Sequence, residues 1–133
     1  MNLSFSTRGW GDLRWPQLLD IAGEMRFSGI ELYDLFRDPT LTDKGGPFPK
    51  YSLSATVRQL RERKLSIPCL DTPWDLSVEN ADWSQTEALI ALAAELRVPY
   101  VALSAKSDAP ERITAALERL LPVAEDTGVT LLI

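Results

Sequence analysis

Cysteine occurs once, at Cys69, so neither an intrachain disulfide nor a cysteine-based zinc cage can form. Between Pro68 and Leu70 it reads as a small core residue, not a reactive thiol. No apolar run approaches the ~20 residues that span a bilayer, and Met1-Asn2-Leu3-Ser4-Phe5 lacks the basic start and long apolar stretch of a signal peptide. These absences predict a cytoplasmic protein without a membrane partner. Basic residues are outnumbered 14 to 19, the net charge is −5, and no basic run or stripe exists to release counterions from a phosphate backbone. Nucleic acid is thereby excluded as a partner. No Gly-x-Gly-x-x-Gly follows the first apolar stretch and no Gly-x-x-x-x-Gly-Lys occurs anywhere, so a dinucleotide or nucleoside-triphosphate fold lacks its phosphate-gripping loop.

What is present is a repeat of short apolar strand followed by amphipathic helix. With 45% hydrophobic and 25% charged residues, the 133 positions can bury one ordinary core. Strand Leu3–Ser6 precedes a helix over Pro16–Met25, with Leu18, Leu19, Ile21, Ala22 and Met25 at helical spacing and Pro16 in the first turn. Strand Gly29–Tyr33 follows, then a helix capped by Ser52 or Ser54 and carrying Leu53, Val57, Leu60 and Leu65. A third strand covers Ser66–Leu70, and a helix over Ala81–Arg97 aligns Ala88, Leu89, Leu92, Ala93 and Leu96. Strand Tyr100–Ser104 precedes a helix from Pro110 to a terminator at Gly128, with Pro122 predicted to bend it. Val129-Thr130-Leu131-Leu132-Ile133 reads as a fifth strand that stops in mid-run, which suggests truncation.

Intervals of roughly thirty residues between strand starts match strand-crossover-strand units, so the sheet is parallel. Alternation sets Ser4, Ser6, Glu31 and Tyr33 on one face and Leu3, Phe5, Ile30 and Leu32 on the other. The same split separates Ala102, Ser104 and Lys106 from Val101 and Leu103, and puts Asp71 with Cys69. A sheet covered on both faces by helices is apolar on both, whereas a barrel with a wet mouth carries polar groups near its strand ends. The fold class expected is α/β, a parallel (β/α) barrel of TIM type, here about five strands and four helices. Residues 1–133 then form the N-terminal part of one (β/α)8 domain.

In such barrels chemistry sits at the carboxyl ends of the strands and in the following loops. Those positions hold Arg8, Trp10, Asp12 and Trp15; Tyr33, Asp34 and Tyr51; Asp71, Trp74 and Asp75; Ser104, Lys106 and Asp108. Rings beside carboxylates and hydroxyls suit a polyhydroxylated ligand, whose C–H groups stack while its hydroxyls find charged acceptors; alternatively the tryptophans merely cover the rim. The substrate-binding candidates are Glu31, Asp71, Trp10, Trp74, Ser104 and Lys106. Glu31 either contacts ligand or pairs with Lys106 or Arg8 to hold the barrel together. Asp71 contacts ligand or serves a turn. Lys106 either steadies negative charge or is solvated. The long Pro- and Gly-rich segment 36–49 reads as a lid or as a surface insertion.

Ser6-Thr7-x-Gly9-Trp10, Phe27-Ser28-Gly29-Ile30-Glu31-Leu32 and Ala124-Glu125-Asp126-Thr127-Gly128-Val129-Thr130-Leu131-Leu132-Ile133 resemble the xylose-isomerase-like barrels, which include sugar-phosphate isomerases and epimerases, inosose dehydratases and the endonuclease IV group. The resemblance implies a divalent metal (Mn, Mg, Co or Zn) that polarises a sugar carbonyl and hydroxyl while acidic residues move protons. It places two Glu, one Asp and one His ligand at the ends of strands five to eight, beyond Ile133. With no histidine of its own, this chain is expected to hold no metal and to be inactive alone. In the endonuclease branch, histidine ligands also end strands three and four, where Asp71 and Ser104 stand here, so that reading is disfavoured. The function implied is the N-terminal part of a metal-dependent sugar or sugar-phosphate isomerase or epimerase. The alternative is a non-catalytic half-barrel scaffold or carbohydrate-binding module that self-associates through open barrel edges.

Overall fold

The computed structural model describes residues 1–35 and 53–133, without the side chain of Leu53. Tyr51, the Ser52 cap and the segment 36–49 lie outside the described residues. Two compact units divide the chain, Met1–Leu70 and Asp71–Ile133. Among the described residues the elements are β1 (Ser4–Ser6), a 3-10 turn (Thr7–Gly9), α1 (Trp15–Glu24), β2 (Gly29–Tyr33), α2 (Leu53–Glu62), β3 (Cys69–Asp75), α3 (Ser84–Leu96), β4 (Tyr100–Ser104), α4 (Pro110–Thr127) and β5 (Thr130–Leu132). Strand and helix alternate throughout, in the parallel α/β manner of half a (β/α)8 barrel.

In the first unit β1 pairs in parallel with β2, Ser4 opposite Gly29 and Ser6 opposite Glu31. On the other side Gly29 bridges Ser66, and Ile30 N–H donates to the Ser66 carbonyl at 2.9 Å. Gly29 is therefore crowded from two directions. A Cβ there would collide with Ser4 Oγ and press on Pro68 Cδ, so glycine lets the strands close up. The unit buries Trp15, Leu18, Leu19 and Ala22 of α1 with Ile30 and Leu32 of β2. Trp15 belongs to that core. The expectation that it borders the binding mouth is corrected, because it opens α1 with no exposed surface and its Nε1–H donates to Gln59 Oε1 at 3.0 Å. Ser54 is likewise the second residue of α2, not its cap.

In the second unit β4 pairs in parallel with β5, Tyr100 opposite Thr130. Beside β4 lies β3, and here the sequence reading needs correction. The third strand does not stop at Leu70: it runs Cys69–Asp75, so Asp71, Trp74 and Asp75 are strand residues and not loop residues. Hydrogen bonds to β4 carry it onward, Thr72 Oγ1 donating to the Ala102 carbonyl at 2.9 Å and Leu76 N–H to the Ser104 carbonyl at 2.8 Å. Ser66 and Ile67 form a lead-in instead. The core holds Leu89, Ile90 and Ala93 of α3, Val101 and Leu103 of β4, and Ala116, Leu120 and Ala124 of α4. Helix α4 runs through Pro122 without interruption.

One device ends every described helix. After α1, α2, α3 and α4 a residue turns left-handed: Arg26 (φ 57°), Lys64 (φ 54°), Arg97 (φ 57°) and Gly128 (φ 73°). The next residue donates its N–H five positions back, Phe27 to Ala22 at 2.9 Å, Leu65 to Leu60 at 2.9 Å, Val98 to Ala93 at 2.8 Å and Val129 to Ala124 at 3.0 Å. This is the Schellman arrangement, and the donating residues Leu65, Val98 and Val129 are buried. Only Gly128 adopts its φ without steric cost, since a side chain in that region costs about 1–2 kcal/mol. Lys64→Gly and Arg97→Gly are each expected to raise stability by roughly 0.5–1 kcal/mol, and Gly128→Ala to lower it by about 1 kcal/mol, in urea unfolding of the chain.

Candidate functional site

At the carboxyl end of β1 the 3-10 turn brings Thr7 inward. Its buried Oγ1 accepts from the Tyr33 N–H at 2.9 Å and ties the ends of β1 and β2 together. Tyr33 carries the Arg8 guanidinium 4.7 Å above its ring, a cation–π contact. Trp10 stands edge-on to Phe5, centroids 5.9 Å apart, and remains 37% exposed. Glu31 sits half-buried on the Tyr33 face of β2, opposite Ser6 in the ladder. Its carboxylate makes no hydrogen bond or ion pair with the described residues. Within this unit the pairing with Arg8 considered from sequence is thus not what holds it, and strand alternation sets it on the polar face.

In the second unit Asp75 and Ser104 join the turns after β3 and β4. Asp75 Oδ1 accepts from Ser77 Oγ at 2.6 Å, Ser77 N–H at 2.9 Å and Lys106 N–H at 3.1 Å. The Ser77 hydroxyl is the main reason its carboxyl lies below the usual 3.8, followed by the Ser77 and Lys106 amides. Asp75 therefore fastens the turn after β3 to the turn after β4. Ser104 Oγ donates to the Trp74 carbonyl at 3.1 Å, so its hydroxyl is partly committed to the same joint. Lys106 is exposed and contributes its backbone to Asp75. Asp71 and Trp74 are both half-buried in β3, but alternation sets Asp71 with Asp75 and Trp74 with Thr72, on opposite faces. Asp71 and Trp74 are not brought together as one binding surface.

Sequence reasoning passed over two engaged serines. Asp75-Leu76-Ser77 and Asp82-Trp83-Ser84 share the form Asp-x-Ser, and in each the aspartate accepts from the serine amide and hydroxyl. That spacing is a local turn signal and was available. Among the described residues no three His, Cys, Asp or Glu side chains form a group able to hold a metal ion. No helix among the described residues is long and apolar enough to cross a membrane.

Comparison with known proteins places this architecture. No family model matches the chain, and no curated relative matches it. Solved structures do. A xylose isomerase domain containing protein from Salmonella typhimurium aligns over 96% of this chain and 47% of its own, at 14% identity and a TM-score of 0.75. The probable 3-DHS dehydratase AsbF of petrobactin synthesis, from Bacillus anthracis, aligns over 100% of this chain and 52% of its own, at 18% identity and 0.71. A sugar phosphate isomerase/epimerase from Parabacteroides distasonis aligns over 98% and 49%, at 10% identity and 0.66. The chain spans about half the length of each of these solved structures. Its fold is that of the xylose-isomerase-like TIM barrels.

Asp75 supplies a test of its structural role. A carboxyl held below its unfolded value stabilises the fold above the ordinary carboxylate range, and that contribution is lost as pH falls through the lowered folded value. Asp75→Asn is expected to destabilise the chain at pH 7, with the gap to the parent closing toward pH 2, in urea titrations followed by circular dichroism.

Proposed function

We propose that this chain is the substrate-side part of a xylose-isomerase-like enzyme that isomerises or epimerises a sugar or sugar phosphate. One observation carries the reading: Glu31, half-buried on the polar face of β2, has no hydrogen-bond or ion-pair partner among the described residues. A carboxylate removed from much of its water needs donors, and the hydroxyls of a sugar supply them. Ser6 opposite it in the ladder and Tyr33 on the same face of β2 offer the hydroxyl and ring surface such a ligand uses, whereas Trp10 packs against Phe5 of the other face. In this reading Glu31 accepts from two adjacent hydroxyls and fixes the sugar's orientation. The divalent metal, whether Mn, Mg, Co or Zn, is then held by ligands from elsewhere in the whole protein.

A second reading has its own support, because apolar residues just before β1 and on β5 remain open: Leu3 is 50% and Leu132 42% exposed. It makes the chain a non-catalytic, self-associating scaffold that binds carbohydrate, with two copies covering each other's strand edges.

Titration of the labelled chain with D-xylose, D-fructose and fructose 6-phosphate, followed by amide shifts at Ser6, Glu31 and Tyr33, decides the first point. A saturable response that weakens roughly tenfold in Glu31→Gln is expected. Unperturbed amides at all three positions, or equal binding by the variant, would remove Glu31 from the ligand site. Light scattering addresses the second reading: a mass of 14.8 kDa counts against self-association, and twice that value supports it.

A further inference from the structure

We infer that Thr7 is a positioning residue for the Glu31 site: its hydroxyl holds the end of β2 through the Tyr33 backbone and so fixes where the Glu31 carboxylate stands. The inference rests on the Glu31 reading and adds to it a buried residue that acts through another.

The role arises because β1 runs out before β2 does. The backbone ladder between them reaches Ser6 opposite Glu31, after which the chain leaves β1 for the 3-10 turn Thr7–Gly9. Strand β2 continues two residues further, to Tyr33. N–H groups two apart on a strand face the same neighbour, and that of Tyr33 turns toward β1. The Thr7 carbonyl is drawn into the 3-10 turn, where it accepts from the Trp10 N–H at 3.0 Å. Thr7 Oγ1 takes its place as acceptor for Tyr33, at 2.9 Å. A side chain thereby adds one rung to the ladder.

Thr7 is itself firmly placed. It is 4% exposed, its carbonyl is bonded within the turn, and the Arg8 N–H beside it donates to Ser6 Oγ at 3.2 Å. Branching at its Cβ limits the directions in which the hydroxyl can point. After Tyr33 the chain turns left-handed at Asp34 (φ 47°), so no later residue of β2 continues the ladder. Glu31 lies on the same face as Tyr33, between a backbone rung at Ser6 and the side-chain rung at Thr7. The same rung keeps the Tyr33 ring beneath the Arg8 guanidinium, 4.7 Å from its centroid. A group that orients a ligand must be held to within about 0.5 Å, and one missing rung at a strand end is enough to exceed that.

The test compares the nitrogen-15 labelled 133-residue chain with Thr7→Val, which keeps the branching and loses the oxygen, and Thr7→Ser, which keeps the oxygen. Each is titrated with D-xylose, D-fructose and fructose 6-phosphate, followed at the Ser6 and Glu31 amides, and hydrogen exchange is measured at the Tyr33 amide. In Thr7→Val, exchange at Tyr33 is expected to quicken at least about tenfold and the Kd to rise roughly fivefold, with Thr7→Ser within about twofold of the parent in both. A purely structural role gives a different result: a lower urea midpoint with an unchanged Kd for the folded chain, which would overturn the proposal. Should Thr7→Val not show the parent's circular dichroism, Thr7→Cys, of similar size and with only a weak sulfur acceptor, replaces it under the same expectations. No response of the parent to any of the three sugars would remove the Glu31 reading and the positioning role together. A parent response that is lost in Glu31→Gln and unchanged in Thr7→Val would keep the Glu31 reading and remove Thr7 alone.

Discussion

The placement of β2, β3, β4 and β5 depends on where the described helix before each is made to stop. Each described helix ends in the same six-residue hydrogen-bonded turn, and the residue that closes it is the apolar anchor from which the next strand starts. The consequence for chemistry is direct, because a slip of one residue at that turn would exchange the two faces of the following strand. Phe27 docking back on Ala22 is what puts Ile30 and Leu32 into the core and leaves Glu31 on the polar side. The turn is strong enough to hold Arg26, Lys64 and Arg97 in a backbone region that their side chains disfavour. Burial of Leu65 and Val98 offsets that strain.

Where these turns use glycine the sequence announces them, and where they use a cation it does not. Gly128 was readable as a terminator from its position after α4 alone. Arg26, Lys64 and Arg97 look like ordinary solvated residues, although each precedes an apolar residue and then a strand. The strands were legible where alternation is clean, in β2 and β4. In β3 it is not: Asp71, Thr72, Pro73, Trp74 and Asp75 have the composition of a loop, and they form a strand because β4 offers them backbone partners. Tertiary context overrode local preference there. Trp15 misled for the opposite reason, since an aromatic residue just after a strand end can belong to the rim or to the first turn of a helix, and only the packing of α1 decides.

The candidate site sorts its polar groups into those already satisfied and those still open. Thr7 in the first unit, and Asp75 and Ser104 in the second, spend their oxygens on joining strand ends and turns. Glu31 stands half-buried where the backbone puts it, with acceptor capacity left over. Sequence alone could nominate both kinds by residue type and position, but it could not tell them apart, because the distinction rests on hydrogen bonds made across thirty residues of chain, as between Asp75 and Lys106.

The paired Asp-x-Ser turns have a consequence for how this part of the fold can vary. Asp75 with Ser77 closes one end of the connection between β3 and α3, and Asp82 with Ser84 closes the other. Each clamp is made within three residues and draws on nothing in the stretch between them. Residues 78–81 are therefore a cassette with fixed attachment points. Apart from the Glu79 carboxylate, which pairs with Arg112 of α4 at 3.1 Å, their side chains can drift, or be exchanged by design, while the strand before them and the helix after them keep their places.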